Sequence, residues 1–199
     1  MDLNLLHYQI GIDMIPKIGS INAKKLIAYC GGVESVFKQS KNALIKVPGI
    51  GPIIANEIVN QKVLDNAKRE VDFIVKHNIK ACFYLDNDYP KRLKQCEDGP
   101  IVLFVKAKGS IDFNQQKVIS IVGTRSVTDY GKAVCEDIIG NLAKRGHNPI
   151  IVSGLAYGID ICAHRAALKN GLPTVAVLGH GLDIIYPSIH RNTAKEMYE

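Results

Sequence analysis

The sequence predicts a small all-α unit over residues 1–78, followed by an α/β unit over residues 79–199. The second is built on a parallel sheet. Three observations carry that expectation. Apolar residues recur at helical spacing through the first 78 residues. From Ile79 the pattern changes to short apolar runs between Gly-rich turns. From Lys117 a strand–turn–helix unit repeats, the pattern of parallel strands joined by right-handed crossovers.

Leu3, Leu6 and Ile10 open the first helix. A second runs from Ser20 to Cys30 on Ala23, Leu26 and Ile27, and stops at Gly31-Gly32. The clearest helix spans Lys62 to His77, with Leu64, Ala67, Val71, Ile74 and Val75 as its apolar set and Asn78 as its cap. Two similar turns separate these helices: Ile15-Pro16-Lys17-Ile18-Gly19 and Val47-Pro48-Gly49-Ile50-Gly51. In the second, Gly49 and Gly51 allow a tight bend whose N–H groups open at a helix N-terminus, a geometry that suits a phosphate oxygen. Such contacts hold the backbone of a nucleic acid without reading its bases. The pattern resembles the helix-hairpin-helix motif of non-sequence-specific DNA-binding proteins. In the first copy Lys17 stands where that motif has glycine, so this copy is expected to be a structural pseudo-repeat without the phosphate-binding turn. Joining packed helices and docking a protein remain open roles for both turns.

In the second unit, residues 79–85 and 101–106 read as strands, with turn clusters at 86–90 and 98–100 and a linker at 113–116. Residues 117–122 form the next strand, ending at Gly123-Thr124-Arg125-Ser126. A helix follows from about Tyr130, expected to turn Val134, Ile138, Ile139 and Leu142 inward and to stop at Gly146. The strand at 149–152 ends at Ser153-Gly154. The helix after it is expected to bury Ile159, Cys162, Ala163, Ala166 and Ala167. The strand at 174–178 ends at Gly179-His180-Gly181, and Ser188 to Tyr198 reads as a further helix. Ligands of parallel α/β sheets bind outside the carboxyl ends of the strands, and all three Gly-bearing turns fall there.

Each turn offers N–H groups beside a helix N-terminus or a tight bend. The expected nucleic-acid contacts are therefore Gly123, Thr124, Arg125, Ser126, Tyr130 and Gly131 around the first turn. Ser153, Gly154, Tyr157 and Gly158 are expected around the second, and Gly179 and Gly181 in the third. Arg125 adds a permanent charge, and Tyr130, Tyr157 and Tyr186 are placed to stack on bases. The net charge of +6, shared equally by the two parts, suits a polyanionic partner. Neither G-x-G-x-x-G nor a P-loop is present, which disfavours dinucleotide binding and ATP hydrolysis. Asp160 and His164 lie four apart on one helix, a spacing that predicts a helix-side hydrogen bond beside an acidic first turn. Ser153 is not in the G-x-S-x-G context of a nucleophile. His180 and His190 have no partner at ligand spacing, so neither a metal nor a cofactor is expected. Five cysteines without a C-x-x-C pair suggest buried or surface thiols. No apolar run approaches the roughly 18 residues of a membrane span, and no basic leader opens the chain, so a cytoplasmic location is expected.

Three ordered stretches resemble the DprA/Smf family of DNA-processing proteins: Ile121 to Gly131; Ser153 to Asp160 with His164 and Ala167-Leu168; and Ala176 to Asp183 with Tyr186-Pro187. The resemblance covers nearly the whole chain. It implies a helix-hairpin-helix, SAM-like domain ahead of an extended Rossmann-like domain that carries the DNA pocket. It further implies a non-catalytic recombination mediator of natural transformation, one that binds and protects incoming single-stranded DNA and assists RecA loading. The full-length form would be a homodimer. Arg125 falls at the family's phosphate-binding arginine, and the Gly123 and Gly154 turns at its pocket walls. Three departures are visible. Leu155 stands where the second motif has glycine, Lys17 interrupts the first hairpin, and Glu199 falls inside the last helix where the family's domain continues, which reads as a C-terminal truncation. The alternative is a nucleotide or nucleoside-phosphate hydrolase on a related fold, with Asp160 or His164 as acid/base. It lacks the Pro-Gly-Gly-x-Gly-Thr turn typical of such enzymes.

Overall fold

A computed structural model of the chain describes residues 2–109 and 112–199. They fall into two units, the first ending at Val105 and the second beginning at Lys106. The grammar of the sequence changes at 78/79, but the structural division lies some 27 residues later.

The first unit opens with α1 (Leu3–Asp13), capped by Asp2, whose carboxylate accepts the N–H groups of Asn4 and Leu5. Next come α2 (Gly19–Cys30), α3 (Val33–Phe37), α4 (Lys41–Ile45), α5 (Pro52–Asn60) and α6 (Lys62–Lys76). The helix α1 lies along α6, and His7 Nε2 donates to the Leu64 carbonyl at 2.7 Å. On α6 the buried residues are Val63, Ala67, Val71 and Ile74, while Val75 is exposed, contrary to the expected stripe. Ile74 and Val75 are 100° apart, and Ile74 takes the core side. Strand β1 (Lys80–Phe83), the short helix α7 (Lys91–Lys94) and strand β2 (Val102–Val105) complete the unit. The two strands pair antiparallel, Phe83 opposite Val102. Phe83, Ile101 and Val102 share one buried cluster with Ile12, Leu26, Val36, Leu44 and Ile58 of the helices. A two-stranded ribbon cannot bury an apolar face by itself. It uses the helical core, which is why the division falls after β2.

The second unit contains β3 (Val118–Ser120), α8 (Asp129–Lys144), β4 (Ile150–Ser153), α9 (Ile159–Lys169), β5 (Thr174–Ala176), a 3-10 turn (Ser188–His190) and α10 (Arg191–Tyr198). Its sheet is parallel, in the order β3-β4-β5, with Val118 opposite Ile150 and Ile151 opposite Thr174. The chain is thus a mixed α/β protein with a parallel sheet and an N-terminal helical region. The α/β core comprises Cys135, Ile139, Ile151, Ala163, Ala166, Ala167 and Leu172. Alanines on α9 let it lie close to β4 and α8. The expected inward face of α8 is corrected. Val134 and Ile138 are 37% and 52% exposed; Ile139 is buried as expected, and Cys135 and Gly140 are buried beside it. Cys135 meets Cys162 of α9 thiol to thiol, which fixes that rotation, and burial pushes the Cys135 thiol up to about 12. On α9 the fully buried set includes Ile161 and His164, while Ile159 and Cys162 lie at the margin of the core.

Candidate nucleic-acid interface

The rim at the carboxyl ends of β3, β4 and β5 is tied together by backbone. Ile121 N–H donates to the Val152 carbonyl at 2.9 Å, and Val177 N–H donates to the Ser153 carbonyl at 2.8 Å. Ser153, which is buried, donates its hydroxyl to the Ile121 carbonyl at 2.7 Å. Its polar group therefore braces two strands and does not face outward.

The first turn is held from within. Thr124 Oγ1 accepts the Ser126 N–H at 3.1 Å, and Thr128 caps α8 by accepting the Gly131 N–H at 3.1 Å. Among the described residues, no acceptor takes the N–H groups of Gly123, Thr124 or Arg125. The Arg125 side chain is exposed and makes no ion pair among the described residues. Tyr130, in the first turn of α8, is 80% exposed. Two glycines set how closely α9 approaches this turn. A Cβ on Gly123 would lie 2.5 Å from Ile159 Cγ1, and a Cβ on Gly158 would lie 2.1 Å from the Thr124 carbonyl oxygen. Gly158 also has φ +79°, and the next N–H, of Ile159, donates to that carbonyl at 3.1 Å. Gly158 thus permits the approach of two loops.

The second turn is organised differently. The Asp160 carboxylate, through Oδ2, accepts the N–H groups of Gly154 at 3.1 Å and Ala156 at 3.4 Å. Leu155 has φ +60°, a left-handed conformation, yet is only 1% exposed. Its carbonyl accepts the N–H of His190 Nδ1 at 2.7 Å, and the His190 ring packs edge-on to the half-exposed Tyr157. The expected helix-side bond between Asp160 and His164 is absent. Instead, His164 Nδ1–H donates to Thr174 Oγ1 at 2.7 Å, and that hydroxyl donates to the Ile151 carbonyl at 2.9 Å. This leaves Nε2 as the bare nitrogen, fully buried and without a partner. Burial pulls the His164 pKa down to about 4, partly opposed by the charge of Asp160. A ring so enclosed has no access to a ligand at the rim, which removes it as an acid or base there.

In the third turn, His180 lies between the Gly181 carbonyl (Nδ1, 2.9 Å) and the Tyr186 carbonyl (Nε2, 3.4 Å). Gly179, Gly181 and Tyr186 are exposed. The rim thus gathers Gly123, Thr124, Arg125, Ser126, Tyr130, Gly131, Tyr157, Gly179 and Gly181, while the polar groups of Ser153 and Gly154 are already engaged.

The hairpin turns lie in the first unit. Ile15 and Ile18 are buried in one, and Val47 and Ile50 in the other. Lys17 has φ +64° where Gly49 has φ +90°. Lys17 and Gly49 therefore both take a positive φ at the matching place in the two turns. A Cβ on Gly49 would lie 2.8 Å from Asn22 Oδ1 on the first turn of α2, so the second hairpin turn packs against the start of α2. The N–H groups of Gly49 and Gly51 have no acceptor among the described residues. No cluster of metal-ligating side chains occurs among the described residues, and no helix there is long and apolar enough to cross a membrane.

Sequence reasoning missed two anchors of the second turn. Asp160 had a visible signal, an acid two residues past the glycine that opens a helix. His190 had none, because the contact with Leu155 spans 35 residues.

The sequence profile of DNA recombination-mediator protein A matches residues 80–199, and a helix-hairpin-helix profile matches residues 11–66. Protein Smf of Synechocystis sp. is 32% identical over 195 residues, covering 96% of this chain and 48% of that protein. DNA processing protein DprA of Streptococcus pneumoniae is 41% identical over 107 residues, 54% of this chain and 36% of that protein. The X-ray structure of DNA processing protein A from Streptococcus pneumoniae aligns with a TM-score of 0.72 at 27% identity, over 95% of this chain and 63% of that one. The chain spans about half or less of the length of these curated relatives.

Proposed function

The chain belongs to the DNA recombination-mediator protein A (DprA/Smf) family, and on that premise we propose that its α/β unit holds single-stranded DNA at the carboxyl rim of the sheet without catalysing a reaction. The observation that carries this reading is the first turn, where three unpaired N–H groups stand beside the exposed, unpaired guanidinium of Arg125. Unpaired amides and a fixed cation suit a phosphate oxygen. Tyr130, Tyr157 and Tyr186 supply π faces that accept any base. Thr124 and Ser126 shape the turn, Gly131 seats the start of α8, Gly158 seats α9, and Gly179 and Gly181 border the strand on the far side. The hairpin around Gly49 and Gly51 offers a second backbone contact. In this reading the protein is a cytoplasmic, dimeric recombination mediator of natural transformation that protects incoming DNA and assists RecA loading.

Fluorescence anisotropy with labelled oligo-dT at several salt concentrations tests the binding step. Affinity should fall steeply with salt and be indifferent to base sequence. Arg125→Ala should weaken binding about 10-fold and flatten the salt slope by about 0.7 for the lost phosphate contact. Salt-independent binding, or an Arg125→Ala variant that binds like the parent, would remove this reading.

A further inference from the structure

We infer that Asp160 is a positioning residue of the rim, an internal anion that fills the amide cradle of the second turn and steers the phosphates of a bound strand to the first. The inference rests on the single-stranded DNA reading above and specifies how that site is divided.

An N–H cradle at the start of a helix favours an anion. In the second turn the chain supplies its own. Asp160 is the second residue of α9, and its Oδ2 takes both Gly154 and Ala156 N–H groups. The fit is close. A Cβ on Gly154 would come within 2.8 Å of that same oxygen and 3.8 Å of the Val177 carbonyl oxygen. The Ile159 N–H is taken by the Thr124 carbonyl and the Ile161 N–H by the Ala156 carbonyl, while the N–H groups of Tyr157, Gly158 and Asp160 have no acceptor among the described residues, so what sets this turn apart is the carboxylate it holds. A phosphate at the second turn would meet the negative charge of that carboxylate and could reach the Gly154 and Ala156 N–H groups only by displacing it. The first turn has the opposite charge: among the described residues, the N–H groups of Gly123, Thr124 and Arg125 have no acceptor, no carboxylate bonds the turn, and the Arg125 guanidinium makes no ion pair. Two turns of similar composition thus divide the work. The first binds charge, and the second presents Tyr157 on a loop that Asp160 and His190 hold in shape.

The test uses the whole 199-residue chain. In an amide-resolved NMR titration of the unaltered protein with dT6, the signals of Gly123, Thr124 and Arg125 should move strongly, and those of Gly154 and Ala156 little. Displacements at Gly154 or Ala156 as large as at Gly123 would overturn the inference. A variant gives a second readout. Asp160→Asn keeps an oxygen acceptor for Gly154 and removes the charge. It should bind oligo-dT 3- to 10-fold more tightly in low salt and steepen the salt slope by about 0.7. A brace without electrostatic effect would leave that slope unchanged and overturn the assignment. If the unaltered protein binds no oligo-dT, the proposed function falls and this inference with it. If it binds and the amide pattern or the slope fails, only the role of Asp160 falls.

Discussion

The turns after β3 and β4 look alike in sequence and differ in chemistry. Both join a parallel strand to a helix, and both are rich in glycine and small polar residues. Among the described residues, the turn at Gly123–Ser126 holds no carboxylate, and its guanidinium has no ion pair. The turn at Ser153–Gly158 spends its hydroxyl on Ile121, two N–H groups on Asp160 and a carbonyl on His190. A Gly-rich turn at a helix N-terminus is therefore an anion site only where the chain has not already supplied the anion.

The contrast depends on the close seating of α9, so the largest effect should come from breaking that. Gly158→Ala puts a methyl against the Thr124 carbonyl at a left-handed φ. It should destabilise the second unit by about 3 kcal/mol or more, through strain plus overpacking. Chemical denaturation checks this, and a loss below about 1 kcal/mol would mean that the two turns are not tightly coupled.

Acid should loosen the sheet beneath the second turn. His164 has a folded pKa of about 4 against an unfolded value near 6.5, so the unfolded state binds more protons between these values. Stability is then fully present above pH 6.5 and is lost as pH falls toward 4. The loss is about 2–3 kcal/mol between pH 8 and pH 4.5. Denaturation midpoints across that range measure it. If His164→Gln left the acid sensitivity intact, another group would be responsible.

Leu155→Gly sets two smaller effects against each other. Glycine relieves about 1 kcal/mol of left-handed strain. It also removes a buried side chain worth about 3 kcal/mol. The net expectation is a destabilisation of about 2 kcal/mol, read from the same denaturation curves. A stabilised variant would show that the second turn is strained without compensation.

Much of this fold was legible beforehand because the signals are local. The repeat from Lys117, the Gly31 stop and the hairpin turns at Pro16 and Pro48 each state a backbone preference within a few residues. Facing was harder to read. Val134 and Ile138 are as apolar as Ile139, and it is the packing of Cys135 and Ile139 into the cluster with Ile151, Ala163 and Ala166 that decides which side of α8 is buried. The strand pair β1–β2 read as the start of the α/β unit, because nothing local records that Phe83 and Val102 finish a helical core.

The same limit governs the rim. The sequence by itself determined that three Gly-bearing turns end three parallel strands and that Arg125 accompanies the first, since strand period, glycine and charge are properties of neighbours along the chain. Tertiary structure decided which turn stays open. Asp160, His164 and His190 acquire their roles from atoms 4 to 35 residues away. Whether a buried N–H or imidazole is satisfied depends on what the fold brings within about 3 Å of it.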